Sequence, residues 1–344
     1  MNYRETNANI SRRYNPDANY LVERRMFSGE GALDNDVVRY VKRAMNAVDE
    51  EYTRKTKEAG ENAKMHLKES LENVSYEYQG SVMTDTHIKG VSDIDLLVLC
   101  EKFQGTEIGR VRQELQSTWK YNENQIRRLN NYNSAFNLYR GDSISDLAIL
   151  RRNIELIMIQ NYEICDISKA KSVRITNQHL HRDVDVVTAS WFQSLDYVLE
   201  GMPDEMRGIK IFNKNTQHEE GPDFPFLSIK RINDRSAETY GRLKRMIRFL
   251  KNVRTDSGKS IPLTSFDINA LCYSIPTQEY INLDYINIVR VLWSTMYHLW
   301  YDNKLDSLKS VVGDEYIFKN HPDKVNALKT LEDEVYKIYQ DLSK

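Results

Sequence analysis

Hydrophobic and polar positions along this chain follow two different periods, and the period changes near residue 72. After residues 34–36, whose carboxylate and amide side chains predict an N-terminal cap, apolar residues recur every three or four positions. This helical pattern runs to about Leu71, although Gly60 weakens it. From Val74 to Tyr78 the period falls to two, which predicts a strand that ends at Gly80.

The next apolar run, from Asp93 to Leu99, is hydrophobic on both faces after its acidic start, which predicts a strand in the middle of a sheet. Residues 107–130 are polar with helical spacing, and residues 217–225 contain the glycine and prolines of a loop. Further strands are predicted at 162–167, 172–175, 183–189 and 208–212. Further helices are predicted at about 235–254, 265–275, 281–303 and 323–342, the last opened by Pro322.

This order of elements predicts an α+β protein with a mixed sheet flanked by helices, followed by a helical lobe. A chain of 344 residues is too long for one small core. We therefore predict a core lobe over 34–215, a helical lobe over 226–344 and a loosely ordered or draped N-terminal extension over 1–33.

Composition excludes several classes of protein. No apolar run approaches the ~20 residues that span a bilayer, and the polar start lacks the apolar stretch of a secretory signal. A cytoplasmic, membrane-free protein is expected. A formal net charge of -2 gives no global positive field for nucleic acid. The three cysteines lie far apart, which argues against a zinc ribbon.

Two aspartates at the start of the central strand carry the first chemical signal. Asp93 and Asp95 are two residues apart, so on a strand their carboxylates share one face. Ionising both is unfavourable without a cation, and Mg²⁺ takes such hard oxygen ligands together with substrate phosphates. The pair therefore favours metal-assisted chemistry on a phosphate.

A later strand supplies further carboxylates. Asp183 and Asp185 again lie two residues apart, and either has suitable geometry for a third metal ligand. Asp185 is followed by Val186 and Val187 and so lies deeper in the strand, which favours it over Asp183. A two-metal site needs carboxylates to clamp ions ~3.5–4 Å apart.

Gly80 and Ser81 form a turn at a strand end, twelve residues before Asp93. Glycine lets the backbone approach a phosphate, and serine offers a hydroxyl and an amide donor. A single D-x-D pair is commonly a solvated strand edge, and Gly-Ser is common in turns. Together, on apolar strands where aspartate is disfavoured, they indicate metal-dependent nucleotidyl transfer.

A basic stripe lies on the helix predicted at 235–254. Lys244, Arg248 and Lys251 fall at i, i+4 and i+7, away from an apolar stripe. Such spacing usually marks a solvated face. Beside the carboxylates, a clamp for a triphosphate is the favoured alternative.

At these residues the sequence resembles the cGAS/DncV-like nucleotidyltransferases (CD-NTases) of bacterial CBASS anti-phage defence, within the polymerase-β-like nucleotidyltransferase superfamily. The matching runs are Gln79–Ser81, Gly90–Val98 and Val184–Val187. The long helix before Gly80 is similar to the family's spine helix, and the stretch 248–266 is similar to its triphosphate-binding helix and serine. The zinc ligands of animal cGAS are missing, which favours the bacterial branch.

The resemblance implies a polymerase-β-like fold with its active site in a cleft between the lobes. It also implies roles for individual residues. Asp93, Asp95 and Asp185 would be the catalytic, metal-binding triad with two Mg²⁺ (or Mn²⁺) ions. Nucleotide-binding roles are implied for Gln79, Gly80, Ser81, Arg248, Lys251, Ser265 and Phe266. An aromatic ring at Phe266, or less strongly at Tyr240 or Tyr273, would stack on a base, although ordinary core packing is the commoner role of such a ring.

The expected function is synthesis of a cyclic di- or trinucleotide from NTPs, with release of pyrophosphate, in anti-phage signalling through a downstream effector. The alternative is transfer of NMP to an RNA or protein acceptor. Arg12–Arg13, Arg24–Arg25 and Arg127–Arg128 would then form the acceptor surface, or would bind an activating RNA. A catalytically inactive scaffold ranks last because the acidic positions are all present. A monomer is expected.

Overall fold

The computed structural model describes residues 2–14, 35–90 and 94–344. By compactness the chain divides into two units, each assembled from separate stretches of sequence. Within the described residues, the sheet unit comprises 53–83 and 94–230, and the helical unit comprises 2–14, 35–52, 84–90 and 231–344. This division differs from linear boundaries at 34–215 and 226–344, because the stretches 35–52 and 84–90 pack with the C-terminal helices.

In the described part of the sheet unit, seven strands form one mixed sheet, as the sequence predicts. The strands are β1 Val74–Gln79, β2 Ile94–Thr106, β3 Cys165–Asp166, β4 Ser172–Asn177, β5 Arg182–Gln193, β6 Gly208–Asn213 and β7 His218–Asp223. Their order is β1-β2-β5-β4-β3, with β6 paired to β5 and β7. β2 and β5 run parallel, and each other pair is antiparallel.

The central position of β2 explains its apolar run. Leu96 and Val98 are fully buried in one hydrophobic cluster, and Leu97 and Leu99 are fully buried in another on the opposite face. Successive side chains of a strand alternate between faces, so burial on both sides requires the near-continuous hydrophobic sequence. The predicted central strand is therefore confirmed.

Two helices, Glu50–Lys68 and Ser143–Asn161, pack on one face of this sheet. Ile108–Glu114, Glu123–Ala135 and Leu195–Glu200 pack on one another in a separate hydrophobic cluster. Gly60 does not interrupt the helix Glu50–Lys68. A Cβ at Gly60 would lie 2.9 Å from Tyr78 Cε1 and 3.3 Å from the Ile94 side chain. Glycine therefore permits the close approach of this helix to the sheet.

The single long helix predicted before Gly80 is wrong, because the structure has two helices, Asp36–Met45 and Glu50–Lys68. Asn35 caps the first, as predicted, by accepting a hydrogen bond from the Val38 amide at 2.9 Å. Asn46 then adopts extended backbone angles and ends that helix. Asp49 accepts from the Tyr52 amide at 2.7 Å and starts the next.

The loop predicted at 217–225 is also wrong, because His218–Asp223 forms β7. Gly221 and Pro222 disfavour a strand in a sheet interior. Within the described residues β7 pairs with β6 alone, so it is an edge strand, where the missing amide hydrogen of proline is tolerated.

Six α-helices lie within the described residues of the helical unit: Tyr3–Tyr14, Asp36–Met45, Arg242–Asp256, Ser265–Ser274, Tyr285–Tyr301 and Pro322–Leu342. A seventh, Pro225–Glu238, begins in the sheet unit and ends here. The predicted helix 235–254 is thus two helices, separated by a turn in which Gly241 has a φ of +81°. The later predicted helices are confirmed to within a few residues, including Pro322 at the first turn.

The N-terminal extension is partly helical. Residues Tyr3–Tyr14 form a helix whose Ile10 is buried in the core of the helical unit, which agrees with an extension draped on the body and not with a loosely ordered one. Residues 15–34, which include Arg24–Arg25, lie outside the described residues, as do the side chains of Arg12 and Arg13.

Candidate active site

The polar end of the sheet brings the predicted carboxylates together. Asp95 on β2 is the register partner of Asp185 on β5, and on its other side it pairs with Gln79 on β1. Register partners on neighbouring strands point to the same face and lie about 4.8 Å apart. Two carboxylates from distant parts of the sequence therefore stand side by side. Asp93 lies outside the described residues.

The turn after β1 packs directly on this pair. Gly80 has a φ of +87°, a conformation that other residues rarely adopt. A Cβ added to Gly80 would lie 2.4 Å from Asp95 Oδ2. The absence of a side chain therefore allows the Asp95 carboxylate to lie against the backbone of the turn. The half-buried Ser81 follows in this turn, where the Met83 amide donates to the Gly80 carbonyl at 3.3 Å.

Asp185 is held by donors from β4 and the preceding loop. Ser172 Oγ donates to Asp185 Oδ1 at 3.0 Å, and Lys169 Nζ donates to the same oxygen at 3.2 Å. The other oxygen, Oδ2, has a longer contact with Arg174 Nη1 at 3.7 Å. The described donors therefore concentrate on one oxygen of this carboxylate.

Asp183 has different partners. Arg174 Nη2 donates to Asp183 Oδ2 at 2.9 Å, and Thr176 Oγ1 donates to Asp183 Oδ1 at 2.6 Å. Both oxygens are thus bonded within the sheet, and Asp183 is not the register partner of Asp95. This geometry supports Asp185 over Asp183 as the acid that joins Asp95.

The sequence reasoning missed Ser172 and Arg174. Residues 172–177 alternate half-buried polar side chains with buried ones. That alternation is visible in the sequence and places Ser172, Arg174 and Thr176 on one face. What the sequence does not show is that this face is the one that carries Asp185, since strand order and register decide it.

The oxygen donors fit a magnesium ion. Mg²⁺ binds through one or two carboxylates and completes its octahedron with water and substrate phosphates. Among residues 2–14, 35–90 and 94–344, no group of three His, Cys, Asp or Glu side chains could hold a metal. Asp95 and Asp185 nevertheless supply two adjacent carboxylates, and their like charges favour a bound cation.

The basic residues of the helix Arg242–Asp256 lie within the helical unit. Arg248 and Lys251 are both buried, so the solvated face is a wrong interpretation for these two. Lys251 Nζ donates to the Thr86 carbonyl at 3.1 Å and to Thr86 Oγ1 at 3.3 Å. Arg248 Nη1 donates to the Asp85 carbonyl at 2.6 Å. Both residues therefore anchor the segment Thr84–Gly90, which follows the Gly80 turn.

Burial lowers the pKa of Lys251 from 10.5 to about 7. Above that pH the folded chain carries the neutral amine, whereas the unfolded chain keeps the proton to about pH 10.4. The unfolded state then binds more protons, so this group makes stability rise with pH across that window. We expect Lys251→Met to remove this rise, so that the substitution destabilises the chain more at about pH 9 than at about pH 7.

Urea unfolding of the wild type and Lys251→Met at both pH values measures this difference. The matched control is Lys259→Met, since Lys259 is exposed and lies just beyond the same helix. An equal difference in free energy of unfolding at the two pH values for Lys251→Met would contradict the assignment of a buried, neutral amine.

The remaining predicted binding residues also lie in the helical unit. Ser265 is the first residue of the helix Ser265–Ser274, which Thr264 and Asp267 open through a capping box. Phe266 is partly buried and packs against the core of the helical unit. This core packing is the alternative to base stacking as the role of its ring. The guanidinium carbon of Arg235 lies 3.4 Å from the centroid of the Tyr273 ring. Tyr240 is 72% exposed.

The sequence also singled out the arginine pair 127–128, the three cysteines and the absence of a membrane span. Arg128 Nη1 donates to the Leu199 carbonyl at 2.7 Å, and Arg127 Nη2 donates to Asn124 at 3.0 Å. Cys100, Cys165 and Cys272 are free thiols. Across the described part of the chain, none of the helices has both the length and the apolar character needed to cross a membrane.

This chain is similar to known proteins. A family model described as the cGAS/DncV-like nucleotidyltransferase C-terminal helical domain matches residues 230–340. A relative from Lachnospiraceae bacterium (strain RUG226), named c-di-GMP synthase, is 68% identical over 343 residues, which cover 100% of this chain and 99% of the relative.

Two solved structures are similar along the whole chain. The STING-associated CdnE c-di-GMP synthase from Capnocytophaga granulosa is 41% identical with a TM-score of 0.81, covering 100% of this chain and 99% of that one. The STING-associated CdnE c-di-GMP synthase from Flavobacteriaceae sp. is 34% identical with a TM-score of 0.87, covering 99% and 98%. The similarity therefore extends over the sheet unit and the helical unit alike.

Proposed function

Because this chain belongs to the cGAS/DncV-like nucleotidyltransferases, we propose that it joins two GTP molecules into cyclic di-GMP with release of two pyrophosphates. The enzyme class, nucleotidyltransferase, follows from the family. The observation that carries the proposal for the active site is the in-register pair Asp95 and Asp185 beside the Gly80 turn. The choice of GTP rests on relatives named c-di-GMP synthase, one of them 68% identical to this chain.

The reaction has two equivalent steps. A ribose hydroxyl of one GTP attacks the α-phosphorus of the other, and a new phosphorus–oxygen bond forms. The bond from that phosphorus to the bridging oxygen of the β-phosphate breaks, and pyrophosphate leaves with the electron pair. The hydroxyl proton passes to solvent. A second transfer, from the remaining hydroxyl to the remaining triphosphate, closes the ring.

The residues of the chain hold the reacting groups. Asp95 and Asp185, with Asp93 as the third acid of the motif, would hold two Mg²⁺ ions. When bound, such ions would supply charge stabilisation for the attacking and leaving oxygens. Gly80 keeps the turn close to Asp95, so that the turn's backbone and the Ser81 hydroxyl lie where a donor phosphate would bind. Holding both nucleotides in line is a large part of such catalysis.

The buried basic residues take part through the helical unit. Lys251 and Arg248 bond to the Thr84–Gly90 segment, and we propose that they also contact the donor triphosphate, as the family resemblance implies. Ser265 would join them. Gln79, next to Asp95 in register, and Phe266 complete the proposed nucleotide-binding set.

A downstream effector would bind the product. The relatives from Capnocytophaga granulosa and Flavobacteriaceae sp. are STING-associated. We therefore propose a STING-type receptor for cyclic di-GMP as the effector, and a role in anti-phage defence. An activating RNA, a monomeric state and a cytoplasmic location stay predictions.

The test is incubation of the purified chain with Mg²⁺ and each labelled NTP separately. We expect GTP alone to give a phosphatase-resistant product with the mass of cyclic di-GMP, and ATP, CTP or UTP alone to give none. The Asp95→Asn variant is the control for a contaminating enzyme. A linear product, or a requirement for a second nucleotide, would show that the proposal is wrong. Label transferred to RNA or protein would favour the alternative function.

A further inference from the structure

A loop on the sheet unit contributes contacts that neither the motif nor the family resemblance includes. It joins β3 to β4 and carries Lys169, and Ser172 follows it as the first residue of β4. Both side chains donate to Asp185 Oδ1, Lys169 at 3.2 Å and Ser172 at 3.0 Å. Ser172 lies diagonally across the β4–β5 ladder from Asp185, since Arg174 is its direct register partner. The rotamer of Asp185 is therefore determined by a neighbouring strand and not by β5 alone.

The same loop is anchored from beneath by a buried arginine. Arg151, on the helix Ser143–Asn161, is 2% exposed. Its Nη2 donates to the Lys169 carbonyl at 2.9 Å and to the Ser172 carbonyl at 2.8 Å. One guanidinium nitrogen thus bonds to the backbone of both residues whose side chains contact Asp185.

An ion-pair network compensates the charge of this arginine. Arg151 Nε donates to Glu155 Oε1 at 2.9 Å, and Lys214 Nζ donates to the same oxygen at 2.9 Å. The Lys214 amide also donates to the Ala170 carbonyl within the loop at 3.0 Å. A buried charge is strongly unfavourable unless it is paired and hydrogen-bonded. Here Glu155 pairs with Nε and the two Nη2 bonds order the loop, while Nη1 has no hydrogen-bond partner among the described residues.

Metal-binding side chains are usually oriented by hydrogen bonds from outside the ligand set, and loss of such a partner typically weakens metal binding 10–100-fold. Asp185 is oriented in this way, because the short donors converge on Oδ1, whereas among the described residues Oδ2 has only the longer Arg174 contact at 3.7 Å. A carboxylate oriented before the cation arrives loses less conformational freedom on binding.

We propose that Ser172 and Arg151 are positioning residues of the active site: Ser172 orients the Asp185 carboxylate for a divalent cation, and Arg151 holds Ser172 and Lys169 in place. This inference rests on the proposed function in taking Asp185 as a metal ligand. Lys169 is a second donor to the same oxygen. Ser172 gives the cleaner test because its hydroxyl carries no charge.

The test compares three single variants of the full chain. Ser172→Ala removes the hydroxyl that donates to Asp185, and Ser172→Thr keeps a hydroxyl there. Thr176→Ala, the control on the same strand as Ser172, removes the hydroxyl that donates to Asp183. Mn²⁺ affinity is measured by electron paramagnetic resonance, with a non-reactive GTP analogue present. We expect Ser172→Ala to bind Mn²⁺ about tenfold more weakly. Ser172→Thr should recover most of the affinity, and Thr176→Ala should match the wild type.

A second readout separates positioning from general damage. The Mg²⁺ concentration for half-maximal pyrophosphate release should rise about tenfold in Ser172→Ala, while kcat at saturating Mg²⁺ stays near the wild-type value. Arg151→Lys should give a similar shift. The double variant Ser172→Ala/Arg151→Lys should be little worse than either single variant, because both changes act through the Asp185 carboxylate.

Several results would overturn the proposal. They are unchanged Mn²⁺ affinity in Ser172→Ala, an equal loss in Thr176→Ala, no Mn²⁺ binding by the wild type, and fully additive effects in the double variant. The Mn²⁺ measurement is independent of the product formed. If the wild type binds Mn²⁺ and Ser172→Ala weakens it but no cyclic di-GMP is made, the proposed function fails and the positioning role stands.

Discussion

Replacing Asp185 by asparagine should lower the rate of pyrophosphate release from GTP about 1000-fold or more, since metal-ion stabilisation of transition-state charge is worth several kcal/mol. Asparagine has nearly the same shape but no negative charge, and it leaves Asp95 as the only described carboxylate of the in-register pair. Ser172 and Lys169 retain an oxygen acceptor, so the fold should persist. Release of labelled pyrophosphate under single-turnover conditions measures the effect.

Asp183→Asn is the matched control, because it makes the same chemical change two residues away on β5. Asp183 is bonded to Arg174 and Thr176 within the sheet, and partly exposed ion pairs of this kind contribute about 1 kcal/mol or less. We therefore expect its rate to stay within about tenfold of the wild type. Equal losses in both variants, at equal melting temperatures, would show that catalysis needs Asp183 as much as Asp185. That result would contradict the choice of Asp185 over Asp183.

Gly80→Ala should lower activity about 100-fold, the size of effect that a displacement of about 1 Å produces in an active site. The added Cβ would lie 2.4 Å from Asp95 Oδ2, so the carboxylate or the turn must move. The φ of +87° also strains any residue with a side chain, at a cost of about 1–2 kcal/mol. Steady-state cyclisation of GTP and urea unfolding are measured on the same preparation.

Gly313→Ala separates the collision from the backbone strain. Gly313 has a φ of +82°, and no atom lies within 4 Å of an added Cβ. It should therefore show a similar loss of stability with unchanged kcat. If Gly313→Ala and Gly80→Ala lose stability equally and Gly80→Ala keeps its activity, close contact between the turn and Asp95 has no catalytic role.

The secondary structure that the sequence predicts well has a clear local signal. β1 alternates with a period of two, β2 begins as a continuous apolar run, and the last three helices lie within a few residues of their predicted ranges. The pattern does not predict the helix Ser143–Asn161. Leu147, Leu150 and Ile154 are buried in it, but Ile149 and Leu156 are also apolar and are exposed. Apolar residues on both faces remove the periodicity that identifies an amphipathic helix.

The basic stripe shows the opposite limitation. The spacing of Lys244, Arg248 and Lys251 shows that they share a helix face, but not what covers that face. In the helical unit, Arg248 and Lys251 are buried against the segment Thr84–Gly90, more than 150 residues earlier in the chain. Spacing along a helix contains no information about such a distant segment.

Local patterns in the sequence are enough to predict a Gly80–Ser81 turn, a D-x-D pair on a hydrophobic strand and later acids suited to nucleotidyl transfer. Side-chain type and the two-residue period of a strand set these patterns. The folded chain adds that Asp185 lies beside Asp95 and that Ser172 bonds to Asp185, while Arg174 and Thr176 bond to Asp183. These contacts depend on strand order and register, which long-range pairing decides and no local pattern contains.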